Sequence, residues 1–287
     1  MNVKDKIAII TDSGTDVPKK YVDKYNMYVV PLIVNYNNKS YRDGVDIDIN
    51  EICDRLKEEI PTTSLPSIDD IRDTFDKVIA DGYDKVVVVT ISSGLSGTYN
   101  AMRIASQYYE DRLETFLIDT KNIDIGAGFT AIRVGELIES GCSFDEIKSK
   151  ISDIISNTKV YFCVKTLEYL RKGGRIGLVA SVVGTALDLK PVMSCNEEGV
   201  YYVVSKARGR KKSLKKALDE AVEYAKKYDE YNIAVVNVQS KEEAKKIENS
   251  IKEVFPKVDK IFIGAISPAL AVHTGPGLIG IGVQKVK

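Results

Sequence analysis

The most apolar run in the chain, Val86 to Ile91, passes directly into Ser92-Ser93-Gly94-Leu95-Ser96-Gly97-Thr98 and then into a helix-like segment from Tyr99. A Val/Ile run of this length fits a strand buried on both faces, and the hydroxyl and glycine residues behind it let the backbone turn sharply into a helix. Free N–H groups at a helix start favour an anion, so with Ser and Thr hydroxyls beside them the turn reads as a cradle for a phosphate or carboxylate. The same residues would also serve as a serine-capped helix after a tight βα turn, so the rest of the chain has to decide.

The pattern recurs. Ile7 to Thr11 reads as a buried strand followed by Asp12-Ser13-Gly14-Thr15-Asp16, with Asp16 as expected N-cap and Pro18 early in a short helix. Phe116 to Ile118 ends in Asp119-Thr120. Three such strands with helices between them predict a parallel sheet whose carboxyl edge gathers Asp12, Ser13, Ser92, Ser93, Ser96 and Asp119, the edge where open α/β sheets bind ligands. Tyr28 to Tyr36 and Ser40 to Arg42, joined by Asn37-Asn38, predict a small β excursion at about 28–48. Ile49 to Glu59 reads as a helix, Pro61 to Ser67 as a stiff, hydroxyl-lined loop, and Ile68 to Gly82 as a second helix. Gly126-Ala127-Gly128-Phe129-Thr130-Ala131 opens a further helix and matches a dinucleotide fingerprint loosely, but Lys121 to Ile125 separate it from the strand.

Ser143 with Glu146 is a capping box for a helix to about Asn157, after which strands with hairpin turns predominate. The expected division is 1–157, an α/β domain with a mostly parallel sheet flanked by helices, and 158–287, a two-layer α/β sandwich. Strands are expected at Val160–Val164, Pro191–Cys195, Val200–Ser205, Ile233–Val238, Ile261–Ala265 and Ile279–Val286. Glu197-Glu198-Gly199 makes a hairpin, and Ser240 with Glu243 a second capping box.

Composition narrows the function. Lysine plus arginine equals aspartate plus glutamate at 41 each, which gives no global field toward nucleic acid. Four scattered cysteines and one histidine argue against zinc, and no apolar run nears the ~18 residues that span a bilayer. A cytoplasmic protein without metal or cofactor is expected. Between Lys206 and Lys216 stand seven cations and no acid, either a solvated helix face or a docking surface for an acidic partner. His273-Thr274-Gly275-Pro276-Gly277 reads as a shaped turn carrying the sole histidine.

Several of these motifs together resemble the DegV family of bacterial fatty-acid-binding proteins: Thr11-Asp12-Ser13 with Asp16, Thr63-Ser64-Leu65-Pro66-Ser67, Ser92 to Thr98 with Tyr99, Lys172-Gly173-Gly174-Arg175-Ile176, Lys206 with Arg208, and His273 to Gly277. The resemblance covers almost the whole chain, and Leu65 stands where the family usually has glutamine. It implies a protein without catalysis of its own, holding one long-chain fatty acid and presenting the carboxylate to a separate ATP-dependent fatty acid kinase related to dihydroxyacetone kinases. The acyl phosphate would enter phospholipid synthesis, and contact with a membrane would be transient. By position, Thr63, Ser96 and His273 would bind the carboxylate, Ser13 and Gly97 could extend the cradle, and Arg175, Lys206 and Arg208 would form a kinase-docking face. The rival from another class is a serine acyl hydrolase using Ser96 and His273 with an acid such as Asp119, although Gly94-Leu95-Ser96-Gly97-Thr98 departs from the G-x-S-x-G elbow. A nucleotide-binding phosphotransferase is the third, without a G-x-x-x-x-G-K-[ST] motif to support it.

Overall fold

A computed structural model describes residues 6–182 and 188–287. β1 (Ile7–Asp12) runs into a 3-10 turn and α1 (Lys19–Lys24), followed by β2 (Tyr28–Val30), β3 (Ile33–Asn35), β4 (Ser40–Arg42) and α2 (Ile49–Arg55). Then come β5 (Thr62–Ser64), α3 (Ile68–Ala80), β6 (Lys85–Thr90), α4 (Thr98–Ser106), β7 (Glu114–Asp119), α5 (Ile125–Glu139) and α6 (Phe144–Ser156). The first sheet has the order β2-β1-β6-β7 and is parallel throughout, as its unbroken Val/Ile strands require of a sheet covered on both faces. β4, β3 and β5 form a separate antiparallel sheet.

The second half comprises β8 (Thr158–Cys163), α7 (Glu168–Lys172), a 3-10 helix (Gly177–Val182), β9 (Leu189–Cys195), β10 (Tyr201–Arg208) and α8 (Arg210–Ala225). It continues with β11 (Tyr231–Asn237), α9 (Lys241–Val254), β12 (Val258–Ala265), α10 (Pro268–Thr274) and β13 (Ile279–Lys285). Its sheet has the order β10-β9-β8-β13-β11-β12, and only β11 and β12, joined through α9, run parallel. α8 and α9 cover one face around Ala217, Ala221, Ile247 and Ile251. The fold class is the α/β arrangement expected, with a mostly parallel sheet first and a mixed, helix-covered sheet second.

α5 joins the two sheets. Its burial is nearly all-round, with Ala131 and Val134 against the first sheet and Ile125 and Phe129 in the core shared with the second. The glycines of its first turn are there for packing: a Cβ on Gly128 would lie 2.4 Å from the Thr15 carbonyl oxygen, and one on Gly126 the same distance from Asn122 Oδ1. The dinucleotide-like spacing is therefore a close helix contact.

Several local expectations change. Tyr28 to Tyr36 is not one strand, because Pro31 interrupts the ladder and passes the chain from the first sheet to the small one. Thr62–Ser64 pairs with β3 instead of looping. Asp16 does not cap α1: it adopts φ 47° and ψ 36°, and Pro18 precedes the helix. Ser240 makes no capping bond, its backbone at φ −130° and ψ 40° lying outside the extended geometry of a cap, and the Glu243 side chain pairs with Arg210 at 2.8 Å instead. His273 stands in the last turn of α10, a helix that Ser267 and Pro268 announce in sequence and whose Ala269–Val272 segment looks like ordinary core. The Ser143–Glu146 capping box forms as expected.

Phe129 is fully buried and meets Phe262 edge-on with ring centroids 5.1 Å apart. Phe129→Ala should cost about 3 to 5 kcal/mol of unfolding free energy, measured by urea denaturation.

Candidate functional site

The first sheet changes direction between β1 and β6, because β1 leads outward to β2 on one side and β6 to β7 on the other. Ligands of open α/β sheets bind in that crevice. Here the protein's own carboxylates occupy it. Asp12 accepts the Gly14 amide on Oδ1 and the Ile91 amide on Oδ2, each at 2.9 Å. Asp119 accepts the Ser93 and Lys121 amides at 3.0 and 3.1 Å and pairs with the Lys121 ammonium at 2.8 Å. From the other half, the β9–β10 turn closes over the loop: Ser92 Oγ donates to the Gly199 carbonyl at 2.8 Å, and a Cβ on Gly94 would stand 2.8 Å from that oxygen. The Ser92–Gly94 part of the expected cradle is thus spent on holding the two halves together, and the Ser96–Thr98 part remains.

Three elements carry the remaining residues. β5 presents Thr63, α10 presents His273, and the turn before α4 presents Ser96 and Gly97. Thr63 Oγ1 and His273 Nε2 are 2.7 Å apart across 210 residues of sequence. Ser96 Oγ lies 2.8 Å from Thr98 Oγ1 and accepts the Thr98 amide at 3.3 Å. Gly97 faces Leu65 closely enough that a Cβ would come 3.0 Å from Leu65 Cδ2, so the leucine packs over the turn. Arg175 Nε donates to the Leu95 carbonyl at 3.3 Å and its Nη1 to Gly173 O at 2.7 Å, which sets the guanidinium beside the Ser96 turn.

The imidazole is 8% exposed, and burial, with the Arg175 charge second, pushes its pKa down to about 4. It is neutral at pH 7. Its Nδ1 has no hydrogen-bond partner and is walled in by Gly173, where a Cβ would come 2.1 Å from that nitrogen. A buried N–H without an acceptor costs more than a bare lone pair, which assigns the proton to Nε2. Nε2–H then donates to Thr63 Oγ1, and the threonine is free to aim its own O–H outward. The Ser96–Thr98 pair likewise needs only one of its two hydroxyl protons for their mutual bond. The site offers neutral, directed donors with a guanidinium nearby.

The other expected residues lie elsewhere. Ser13 donates to Asp43 Oδ2 at 2.5 Å and accepts the Leu32 amide at 3.0 Å, so its hydroxyl is committed to another carboxylate. Lys206 and Arg208 are exposed on the edge strand β10, with Lys216 Nζ donating to the Lys206 carbonyl at 2.8 Å. Arg175, expected on a surface loop, is half-buried against the turn. Ser96, His273 and Asp119 do not form a catalytic triad, because His273 bonds Thr63, Ser96 bonds Thr98, and Asp119 bonds Lys121 and Ser93. Gly173 was legible only as part of a basic loop, and Asp43 and Asp124 carried no sequence signal of their own. Beneath α10 lies a small cavity of about 20 Å³ lined by Ile123, Val160, Phe162, Tyr201, Leu270 and Leu278, with Asp124 and Thr274 at its wall. Among the described residues no side-chain group suits a metal ion, and no helix is long and apolar enough to cross a membrane.

The family model described as uncharacterised protein, DegV family, matches residues 6–286. A DegV domain-containing protein of Clostridium acetobutylicum is 42% identical over 281 residues, covering 98% of this chain and 99% of that one. Among solved structures, a DegV family protein from Thermus thermophilus, described by its fatty acid binding, superposes with a TM-score of 0.92 at 29% identity, covering 98% of this chain and 100% of that one. A stearic acid-binding protein of Eubacterium ventriosum gives 0.90 at 31% identity over 97% and 98% of the two chains.

Beside the site, at the other end of α10, lie three buried acids, Asp12, Asp43 and Asp124, and the partly buried Asp16. Burial raises Asp12 and Asp124 to about 7 and Asp43 to about 6, and burial with the neighbouring Asp124 raises Asp16 well above its usual range. Asp16 and Asp124 form a carboxyl–carboxylate pair that has to keep a proton. Between pH ~4 and ~7 the unfolded chain releases protons that these folded acids retain, so their contribution to stability is present at low pH and lost as pH rises. Asp124→Asn should therefore gain stability relative to the wild type when urea denaturation at pH 4.5 is compared with pH 7.5.

Proposed function

The chain belongs to the DegV family, and on that footing we propose that it binds one long-chain fatty acid and presents the carboxylate at its surface, without catalysis of its own. The observation that carries this reading is the Thr63–His273 bond, with Leu65, two residues on from Thr63, packed over the Ser96–Thr98 turn. A fatty acid carboxylate resembles glutamate, with a pKa of ~4.3, and is ionised at neutral pH, so it needs several donors when it leaves water. Thr63 O–H, a hydroxyl of the Ser96–Thr98 pair and the start of α4 supply them, with Arg175 adding positive charge. Burying ~14 methylenes at roughly 0.8 kcal/mol each amounts to about 11 kcal/mol, against about 1.5 to 3 for each charged hydrogen bond. The tail supplies affinity and the donors set orientation. The seam marked by the small cavity under α10 is the path for that tail, and its walls must separate to admit it.

A carboxylate held at one end of a buried chain is the substrate that a separate ATP-dependent fatty acid kinase of the dihydroxyacetone-kinase type would phosphorylate, the acyl phosphate going to phospholipid synthesis. Lys206 and Arg208 with the cation-rich start of α8 give such a partner a basic face to meet. Arg175, half-buried at the Ser96 turn, is better placed to act on the carboxylate itself.

Native mass spectrometry followed by lipid extraction should find a stoichiometric fatty acid on the wild type and its loss in a Thr63→Ala/Ser96→Ala double variant. A wild type that is empty and refuses added fatty acid removes the reading. Mixed with ATP, magnesium and fatty acid but no partner, the protein should form no acyl phosphate, and acyl phosphate in that mixture would make it an enzyme.

A further inference from the structure

α10 is held at its start by groups that are distant in sequence. Its N-cap residue, Ser267, makes no side-chain capping bond. The Ala269 amide donates instead to Asp43 Oδ1 at 2.9 Å, across 226 residues. A carboxylate at this amide satisfies a donor that a helix leaves open and lies at the favourable end of its dipole. Asp43 is 2% exposed and fixed from behind, with Ser13 Oγ on its other oxygen and the Leu32 amide on Ser13. Asp16 leans on Asp124, and both carry positive φ, 47° and 54°, a conformation that residues with side chains adopt only when their surroundings impose it.

The spacing links this clamp to the ligand site. Ala269 and His273 are four residues apart, so they share one face of α10, separated by about one helical turn. A slide or rotation that frees the Ala269 amide from Asp43 also withdraws Nε2 from Thr63. At the far end Gly173 closes on Nδ1, which leaves the imidazole no second position.

We propose that Asp43, backed by Ser13, is a positioning residue that sets α10 so that His273 holds Thr63 in the orientation that receives a carboxylate. The role of the carboxylate as ligand rests on the fatty-acid reading, whereas the placement of the imidazole does not. Asp43 touches neither ligand nor His273 and acts through the helix.

His273 is the only histidine in the chain, so its ring nitrogens can be read singly by long-range ¹H–¹⁵N spectra of uniformly labelled protein. The wild type should show one neutral tautomer protonated at Nε2. Asp43→Ala should give a mixture of tautomers or exchange-broadened signals, and Asp43→Asn, which keeps an acceptor for the Ala269 amide, should restore the wild-type signature. In parallel, the ratio of affinities for palmitic acid and the matching fatty alcohol should fall about tenfold in Asp43→Ala and recover in Asp43→Asn, whereas general loosening would weaken both ligands alike. A folded Asp43→Ala protein with an unchanged tautomer and an unchanged ratio overturns the proposal. If Asp43→Ala does not fold, Asp43→Ser takes its place: the shorter side chain cannot hold the Ser13 hydroxyl and the Ala269 amide at once, and a wild-type imidazole signature there overturns the proposal equally. Should no variant and no wild type bind palmitic acid, the fatty-acid reading fails, and the imidazole spectra still decide whether Asp43 positions His273.

Discussion

Asp12 carries its carboxylate into the crevice between β1 and β6, where the Gly14 and Ile91 amides meet it, and the arrangement of the whole seam follows from that burial. A carboxylate removed from water costs several kcal/mol unless backbone donors surround it. Once Asp12 and Asp119 take the amides at the ends of β1, β6 and β7, the sheet edge has few donors left for a ligand. The β9–β10 turn seals Ser92. What the parallel sheet ordinarily offers a nucleotide is used here to join two halves, and the donors left open shift outward to Ser96, Thr98 and Thr63.

That shift explains why the site is built from neutral groups. Thr63 comes from the small antiparallel sheet, His273 from the second half and Ser96 from the first, so the site exists only at their junction. Burial keeps the imidazole uncharged, and an uncharged imidazole with a bare Nδ1 must place its proton on Nε2, which in turn frees the threonine proton. The glycine at 173 is as necessary as the polar groups, because any side chain there would occupy the space of the ring. Hydroxyl donors hold an anion by direction more than by charge, which suits the fatty acid carboxylate proposed above.

The sequence carried the buried strands plainly, since Val86–Thr90 and Ile7–Thr11 cannot be read as amphipathic helices, and the hydroxyl-rich turns after them were visible for the same reason. It misjudged residues whose state depends on distant partners. Glu243 was free, locally, to complete a capping box with Ser240, and it pairs instead with Arg210 from another helix. Asp16 looked like a helix cap and instead pairs with Asp124. His273 looked like part of a loop because glycines and a proline follow it, while the helix before it is short and apolar throughout. The family resemblance brought Thr63, Ser96 and His273 together on paper; in the structure the first and last are bonded at 2.7 Å, while Ser96 bonds Thr98.

By itself the sequence determined the class of fold and the chemistry on offer: strands too apolar to be exposed, turns rich in hydroxyls, one histidine and balanced charge. These are local properties, set by side-chain type and spacing. Only the tertiary structure decided which donors stay open, which carboxylates share a proton and which nitrogen of His273 is protonated. Each of those depends on groups that are remote in the chain and adjacent in space, and on the loss of water that makes an unpaired polar group expensive.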